Sequence, residues 1–340
     1  MARSAFRGWR DAARRGARAV AIAVIAALPV APLAQPADQY PSRPIKILVP
    51  YAPGGATDII ARHLSNRLNE ALGQNVVVEN RPGASGNIAV EATVKALPDG
   101  YTLLCGNVST NAINESTFAN VLQFKPSRDL VGITKLVEIP HIIAANPSLP
   151  ANSVAELVEY AKQHPGKLNY ASAGLGTYPH LDMLRLMQAA GIEMTHVPYK
   201  GGAGQMIPSL MSGETQLSFL NLSSALEQIK AGRLKAIATT APARLPEIPN
   251  VATMAEQGYP GIGTNAWQGL FAPAATPKST VDKLYRAIAA ILSQPEMKDM
   301  LAKQMMTVTV SKSPEEFTAL VQKETQQWAD FVRANKITMD

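Results

Sequence analysis

The chain has one cysteine, Cys105, among its 340 residues, so it cannot form an internal disulfide bond. Its neighbours on the N-terminal side are apolar, which indicates a buried strand position rather than a nucleophile. The histidines lie at positions 63, 141, 164, 180 and 196, without the spacing of zinc ligands. The motifs GxSxG, HExxH and GxxxxGKS or GxxxxGKT are all missing, so no common hydrolase, metalloprotease or nucleotidase signature is present.

The chain also lacks a strong charge of either sign once its first 34 residues are set aside. Its formal net charge is +6, but residues 1–34 contain six arginines and one acid, Asp11, a net of +5. The remaining residues therefore have a net charge of about +1. Because nucleic-acid binding depends on a basic surface, we expect no nucleic-acid partner.

The N-terminal segment has the pattern of an export signal. A basic stretch runs into an apolar stretch at 19–28, which is followed by the small-residue zone PVAPLA. This order is typical of a secretory signal peptide, and we predict cleavage after Ala34. A membrane anchor is the alternative, but a helix that spans a bilayer needs about 20 apolar residues. The sequence therefore predicts a signal peptide at 1–34 and a periplasmic location.

Strand and helix patterns alternate along the rest of the chain. Short apolar runs at 45–52, 76–79 and 101–106 predict strands, and the spacing of Ile60, Leu64, Leu68 and Leu72 predicts a helix over 57–72. A second helix is predicted after the turn-rich loop at 81–87 and ends at Ala96. This β-α-β-α-β order favours a parallel sheet covered on both faces. The pattern then restarts, which predicts an α/β fold with two lobes: residues 38–140 plus 241–340, and residues 141–240. Ligands of open α/β sheets bind at the carboxyl ends of strands, here in the cleft between the lobes.

The segment PYAPGGATD, residues 50–58, joins a predicted strand to a predicted helix through two glycines. Free N–H groups at a helix N-terminus bind anions, and glycine lets a ligand approach the backbone closely. Thr57 either caps the helix or contacts the ligand, and Asp58 suits the helix dipole. A plain strand-to-helix turn is an equally good interpretation of this segment alone.

Two later segments repeat this arrangement. NYASAGLGTYPH (169–180) resembles a dinucleotide fingerprint but lacks the third glycine, so an anion cradle fits it better. HVPYKGGAGQM (196–206) is a third strand, glycine loop and helix start. His180 is either a packing residue or a ligand contact, and Lys200 either adds charge to the site or extends to solvent. Three such loops facing one cleft would hold a carboxylate through backbone donors.

Several segments together resemble a known family. YPSRPIKILVPYAPGGATDIIAR, NVVVENRPGASGNIA, LPDGYTLL, KLNYASAG, THVPYKGGA and SPEEF are similar to segments of the tripartite tricarboxylate transporter substrate-binding proteins, the Bug family. The likeness runs from about Tyr40 to Asp340. It implies a type II periplasmic-binding-protein fold that closes on small organic acids, without catalysis and without a cofactor. It also implies a partner permease with a large and a small membrane subunit, and we expect a monomer.

The resemblance assigns ligand-binding positions residue by residue. Tyr51 stands where the family usually has Phe, and its additional hydroxyl can reach the ligand. Leu220 stands where an Asp commonly precedes the Asn, which leaves Asn221 without that acid and favours a plain or partly apolar carboxylate. The alternative function is a sensing module that delivers the bound acid to a membrane receptor. The predicted ligand-binding residues are Tyr51, Pro53, Gly54, Gly55, Thr57, Asp58, Asn107, Ser172, Gly174, Gly176, Thr177, His180, Lys200, Gly201, Gly202 and Asn221, with no catalytic or metal-binding residue.

Overall fold

A computed structural model describes residues 40–264, 266–335 and 337. The predicted signal peptide, at 1–34, lies outside the described residues. Within this part of the chain, no helix is both long and apolar enough to span a membrane.

The elements follow the predicted alternation of strands and helices. The strands are β1 (Ile45–Val49), β2 (Val76–Asn80), β3 (Thr102–Asn107), β4 (Leu130–Ile139), β5 (His141–Ala145), β6 (Asn169–Ser172), β7 (Thr195–Pro198), β8 (Leu217–Asn221), β9 (Lys235–Thr239), β10 (Ala266–Pro273) and β11 (Thr307–Val308). The helices are α1 (Ala56–Leu72), α2 (Asn87–Val94), α3 (Asn114–Thr117), α4 (Pro126–Asp129), α5 (Val154–Gln163), α6 (Tyr178–Ala190), α7 (Ala203–Ser212), α8 (Leu222–Lys230), α9 (Lys278–Ser293), α10 (Pro295–Ala302) and α11 (Pro314–Ala334).

The first lobe is built on a six-stranded sheet with the order β11-β4-β10-β3-β1-β2. β1 pairs in parallel with β2 and with β3, as the sequence pattern predicts. β10 follows the second lobe in the sequence and pairs antiparallel with both β3 and β4. The buried face of α1 presents Ile60, Leu64 and Leu68 to the core, which confirms the i+4 pattern of that helix.

The second lobe is built on a five-stranded sheet with the order β7-β6-β8-β5-β9. The chain enters it directly from β4 to β5 and leaves it through the segment between β9 and β10. Ile248, Met254 and Tyr259 of that segment pack with the second lobe, although they follow residue 240. The second lobe therefore packs with residues beyond its predicted end at residue 240. The predicted limits of the two lobes stay a prediction.

The two crossings lie side by side. The backbone N–H of Thr240 donates to the carbonyl of His141 over 2.9 Å, and a Cβ placed on Gly263 would lie 2.3 Å from the Cγ2 atom of Thr240. Adjacent crossings are the usual places where a two-lobed protein absorbs the backbone rotation of closure.

Helix α6 begins within the segment NYASAGLGTYPH. The sequence predicts a helix start near Pro179, with the body of the helix over 181–190, and the structure starts the helix at Tyr178, with Pro179 in the first turn. Proline suits this place because it has no N–H group to leave unpaired and its φ angle is already helical. This start places Tyr178 and Pro179 at the edge of the cleft.

Candidate functional site

Helix α1 begins in the first glycine loop. Gly54 has a φ of +91°, a left-handed conformation that favours glycine, and its N–H donates to Asp58 Oδ2 over 3.0 Å. Burial raises the pKa of Asp58, but hydrogen bonds from Arg62, Asn80 and Gly54 outweigh it and hold that pKa below its ordinary value. The carboxylate of Asp58 is therefore engaged inside its own lobe, where it shapes the loop.

Thr57 occupies the first turn of α1 and lines the cleft. Its hydroxyl donates to Gln268 Oε1 over 2.7 Å, so it links the helix start to β10. The Nε2 atom of Gln268 is buried and has no hydrogen-bond partner among the described residues. This donor lies next to Thr57, and no sequence pattern singles it out.

Tyr51 and Asn107 meet at the ends of β1 and β3. The Nδ2 atom of Asn107 donates to the Tyr51 hydroxyl over 3.4 Å, and burial raises the pKa of Tyr51 to about 12. The phenol is therefore neutral at any physiological pH. Its ring lies against the second lobe, because a Cβ on Gly202 would lie 3.0 Å from the Tyr51 Cδ1 atom.

The second glycine loop is held by its own side chains. The Ser172 hydroxyl accepts from the N–H of Gly174 over 3.0 Å, and Thr177 donates to the carbonyl of Gly174 over 2.7 Å. Gly174 and Gly176 have φ angles of +126° and +72°, which explains why glycine stands at both positions. From the first lobe, Ser85 donates to the carbonyl of Leu175 over 2.8 Å, so this loop touches the opposite lobe.

His180 supports that loop from behind. Its Nδ1 atom accepts from the N–H of Gly176 over 3.1 Å, and its ring stacks on His196 with 4.2 Å between centroids. Burial is the main reason that the pKa of His180 falls to about 3, and burial lowers the pKa of His196 to about 4. Both rings are therefore neutral at pH 7, and His180 is not among the residues that line the cleft.

The third glycine loop also bridges the lobes. The N–H of Ala52, in the first loop, donates to the carbonyl of Gly201 over 3.0 Å. Gly202 adopts a φ of +62° directly before α7. Lys200 is exposed at the surface and does not line the cleft.

Between the lobes lies a cavity of about 30 Å³. That volume holds about two water molecules, so an organic acid enters only if the lobes move apart. Among the predicted site residues, six line the cavity: Tyr51, Gly55, Thr57, Asn107, Gly202 and Asn221. Those that do not line it are Pro53, Gly54, Asp58, Ser172, Gly174, Gly176, Thr177, His180, Lys200 and Gly201, and their part in binding stays a prediction.

Seven further residues complete the lining, and most of them are apolar: Ala56, Ala173, Tyr178, Pro179, Ala203, Met206 and Leu220. Of these, only Leu220 is singled out by the sequence, as a departure from the family pattern. The others are within a few residues of a predicted glycine loop, mostly in the first turn of the helix that follows. A helix whose N-terminus meets a ligand also presents its first-turn side chains to that ligand. This rule is the signal by which most of these lining residues could be predicted from the sequence.

Asn221 and His141 face each other in register on β8 and β5. The Oδ1 atom of Asn221 and both ring nitrogens of His141 are buried, without a well-formed hydrogen bond to any described residue. Burial, offset in part by Asn221, lowers the pKa of His141 to about 3. The His141 ring stacks on Tyr178 with 4.1 Å between centroids, so unpaired polar atoms stand next to the lining of the cavity.

Four helices point their N-termini at this cavity. Lining residues include the cap or first turn of α1 (Gly55), α6 (Tyr178), α7 (Gly202) and α8 (Asn221). In none of the four does the cap residue's own side chain accept a hydrogen bond from the helix start. The lining contains no lysine or arginine. The first N–H groups of α6 and α8, those of Tyr178 and Leu222, already donate to Ser109 and to Pro140. Such a site therefore attracts an anion through helix dipoles and the remaining backbone N–H groups rather than through a cationic side chain.

Within residues 40–264, 266–335 and 337, no group of three or more His, Cys, Asp or Glu side chains is placed to hold a metal ion. The arrangement of the lining suits reversible binding of an anion with an apolar part.

The chain is similar in sequence to the members of one receptor family. A family model described as "Tripartite tricarboxylate transporter family receptor" matches residues 60–337. The protein BugT of Bordetella pertussis is 35% identical over 299 residues, which cover 87% of this chain and 90% of that relative.

Solved structures with the same fold include ligand complexes. MatC from Rhodopseudomonas palustris with bound malate is 32% identical, with a TM-score of 0.82, over 86% of this chain and 100% of that one. An R. palustris protein with adipate is 32% identical, with a TM-score of 0.83, and the periplasmic binding protein BugD is 33% identical, with a TM-score of 0.83. Each of these two matches covers 88% of this chain and 100% of the other. The two-lobed periplasmic-binding-protein fold is thereby confirmed.

Proposed function

Because the chain belongs to the tripartite tricarboxylate transporter receptor family and is similar to the periplasmic binding protein BugD, we propose that it captures a small carboxylate in the cleft between its lobes. The captured acid is then delivered to a membrane permease with a large and a small subunit. The protein acts as a monomer after export to the periplasm and removal of residues 1–34, and it performs no catalysis.

The observation that carries this proposal is the convergence of four helix N-termini on one cavity. α1 belongs to the first lobe, and α6, α7 and α8 belong to the second. The helix starts nearly touch, since a Cβ on Gly55 would lie 3.6 Å from the Cβ of Ala203. Because the partial positive charges of both lobes meet there, an anion between them stabilises the closed arrangement.

The chemistry of the lining narrows the ligand to an acid with an apolar part. Leu220, Met206 and Ala173 form an apolar wall on the second lobe, and Asn107, Tyr51 and Asn221 are its polar neighbours. A carboxylate group would accept from the helix starts while its carbon chain lies on the apolar wall. The related structures with malate and adipate contain acids of this kind.

Capture requires a hinge movement between the two proposed lobes, residues 38–140 plus 241–340 and residues 141–240. Opening breaks the bond between the N–H of Ala52 and the carbonyl of Gly201 and the bond between Ser85 and Leu175. A third hydrogen bond between the lobes runs from the N–H of Tyr178 to the Ser109 hydroxyl, and each of these single bonds is worth about 1 kcal/mol net.

A thermal-shift screen of the chain after residue 34 tests the proposal. The panel contains mono-, di- and tricarboxylates, aromatic acids and amino acids, each with its uncharged amide as the matched control. Since a ligand that binds the folded state raises the melting temperature by mass action, we expect a saturable rise for one carboxylate class and none for its amides. A rise only with uncharged compounds would contradict an anion site.

A further inference from the structure

Helix α6 lies between the two lobes and packs with both. Met183 and Leu186 belong to the core of the second sheet. Tyr178 and Leu181, on another face of the same helix, belong to a hydrophobic cluster of the first lobe that contains Trp267. Any movement of one lobe relative to the other must therefore change the packing around this helix.

A buried carboxylate on α6 holds the return crossing of the chain. Asp182 is fully buried, and its two oxygens accept from the N–H and from the hydroxyl of Thr264, each over 2.8 Å. Thr264 lies two residues before β10, where the chain returns to the first lobe. Burial raises the pKa of Asp182 to about 6 despite those two bonds, so the position is unfavourable for a charged group. Packing alone does not explain why a carboxylate, that of Asp182, occupies this buried position.

Arg185 ties a second point of the crossing to the same helix. One of its Nη atoms lies 3.7 Å from Asp182 Oδ1, and its Nη2 atom donates to the carbonyl of Gly261. The guanidinium group lies 5.4 Å from the centroid of the Phe331 ring on α11, which packs against β4 of the first lobe. Both ends of the segment 261–264 are thus fixed to α6.

The other end of α6 lies at the ligand cavity. Tyr178 lines the cavity, and its N–H donates to the Ser109 hydroxyl on the first lobe over 3.0 Å. Asp182 follows one helical turn later, about 6 Å along the helix axis. A helix is rigid over one turn, so a displacement of its N-terminus also displaces the atoms that hold Thr264.

We propose that Asp182 is a positioning residue for ligand capture. It fixes the return crossing of the chain to α6, so that contact of a ligand with the N-terminus of α6 and rotation at the hinge occur as one movement. This inference rests on the proposed function, because it assigns to the hinge the task of closing the cleft on a ligand. Asp182 itself does not line the cavity.

Distance measurements between nitroxide labels test this role. The labels are attached to Leu97→Cys in the first lobe and Lys167→Cys in the second, both exposed positions. The native Cys105 is fully buried and stays unlabelled. The variants are Thr264→Val, which removes only the hydroxyl bond to Asp182, Asp182→Asn, and Thr264→Ser, which keeps the hydroxyl and is the matched control.

Without added ligand, we expect Thr264→Val and Asp182→Asn to increase the ratio of open to closed protein about 5-fold, the effect of one lost hydrogen bond. Thr264→Ser should keep the parent distribution of distances. If Asp182→Asn does not fold, as judged by circular dichroism, Thr264→Val decides the outcome. A parent-like distribution in folded Thr264→Val overturns the proposal.

A second arm uses malate and adipate as probes. If either compound shortens the mean distance in the parent protein, Thr264→Val should require about 5-fold more of it for the same change. An equal requirement in parent and variant also overturns the hinge role. Because the first arm contains no ligand, a failure of carboxylate binding would be seen separately and would count against the proposed function alone.

Discussion

At the scale of single residues, Gly202 has two reasons to be glycine. Its φ of +62° is combined with a ψ of −144°, a backbone conformation that is essentially restricted to glycine. A Cβ at this position would also lie 3.0 Å from the Tyr51 ring, at the point where the two lobes approach each other. The backbone requirement and the cavity requirement therefore meet at one residue.

We expect Gly202→Ala to weaken binding of the best acid from the screen about 10-fold, while the protein still folds. The new methyl group pushes Tyr51 away from the closed position, and the backbone strain costs about 1–3 kcal/mol. Isothermal titration calorimetry measures the affinity. Gly191→Ala is the control, because Gly191 shares a φ of +62° but has open space around its Cβ position. Equal affinity in both variants would contradict the closed geometry of the cleft.

At the scale of elements, the unit of β6, α6 and β7 contains the stacked pair His180 and His196. Their pKa values of about 3 and about 4 lie below the ordinary value of 6.5 because of burial. In the unfolded chain both rings bind protons below about pH 6.5, whereas in the folded chain they stay neutral to much lower pH. The unfolded state therefore binds more protons between these values, and stability rises with pH across this window.

We expect the free energy of unfolding to fall as the pH is lowered from 6.5 towards 4, by at most about 1.4 kcal/mol per pH unit for each such ring. His180→Asn should make this decline shallower, because the amide oxygen replaces Nδ1 as acceptor for the Gly176 N–H but does not titrate. Urea unfolding at pH 8, 6.5, 5 and 4 measures the effect. His164→Asn, at an exposed position, is the control, and an identical pH slope in His180→Asn and the parent would show this account to be wrong.

At the scale of the whole molecule, the closed arrangement of the lobes brings Gly55 and Ala203 within reach of a covalent link. The Cβ positions lie 3.6 Å apart, which is inside the range of disulfide-bonded cysteines. Gly55 has a φ of −83°, which any residue adopts. Cys105 is buried, and its pKa is raised, above all by burial, so it does not compete for oxidation.

We expect the double variant Gly55→Cys, Ala203→Cys to form a disulfide that locks the cleft. Oxidation should raise the stability by about 2–4 kcal/mol and prevent binding of added acid, since the cavity of about 30 Å³ then stays closed. Reduction should restore both properties to those of the two single variants, as measured by thermal unfolding and calorimetry. If oxidation leaves two free thiols, the lobes do not approach each other in solution as they do in this structure.

Local features of the structure could be predicted from the sequence because they depend on neighbours along the chain. The spacing of Ile60, Leu64 and Leu68 predicts α1 and its buried face, and both are confirmed. Glycines between strands and helices marked the loops from which Gly55 and Gly202 reach the cavity. Turn chemistry and helical periodicity act over a few residues, so a single sequence contains them in full.

Long-range features were decided only by the tertiary structure. The place of β10 between β3 and β4, the bonds from Thr264 to Asp182 82 residues away, and the engagement of Asp58 within its own lobe are examples. The sequence by itself determined the order of strands and helices, the glycine loops and the family. Which side chains line the cavity and which stand behind it depended on the packing of two sheets against each other, because contacts between distant segments leave no local periodicity in the chain.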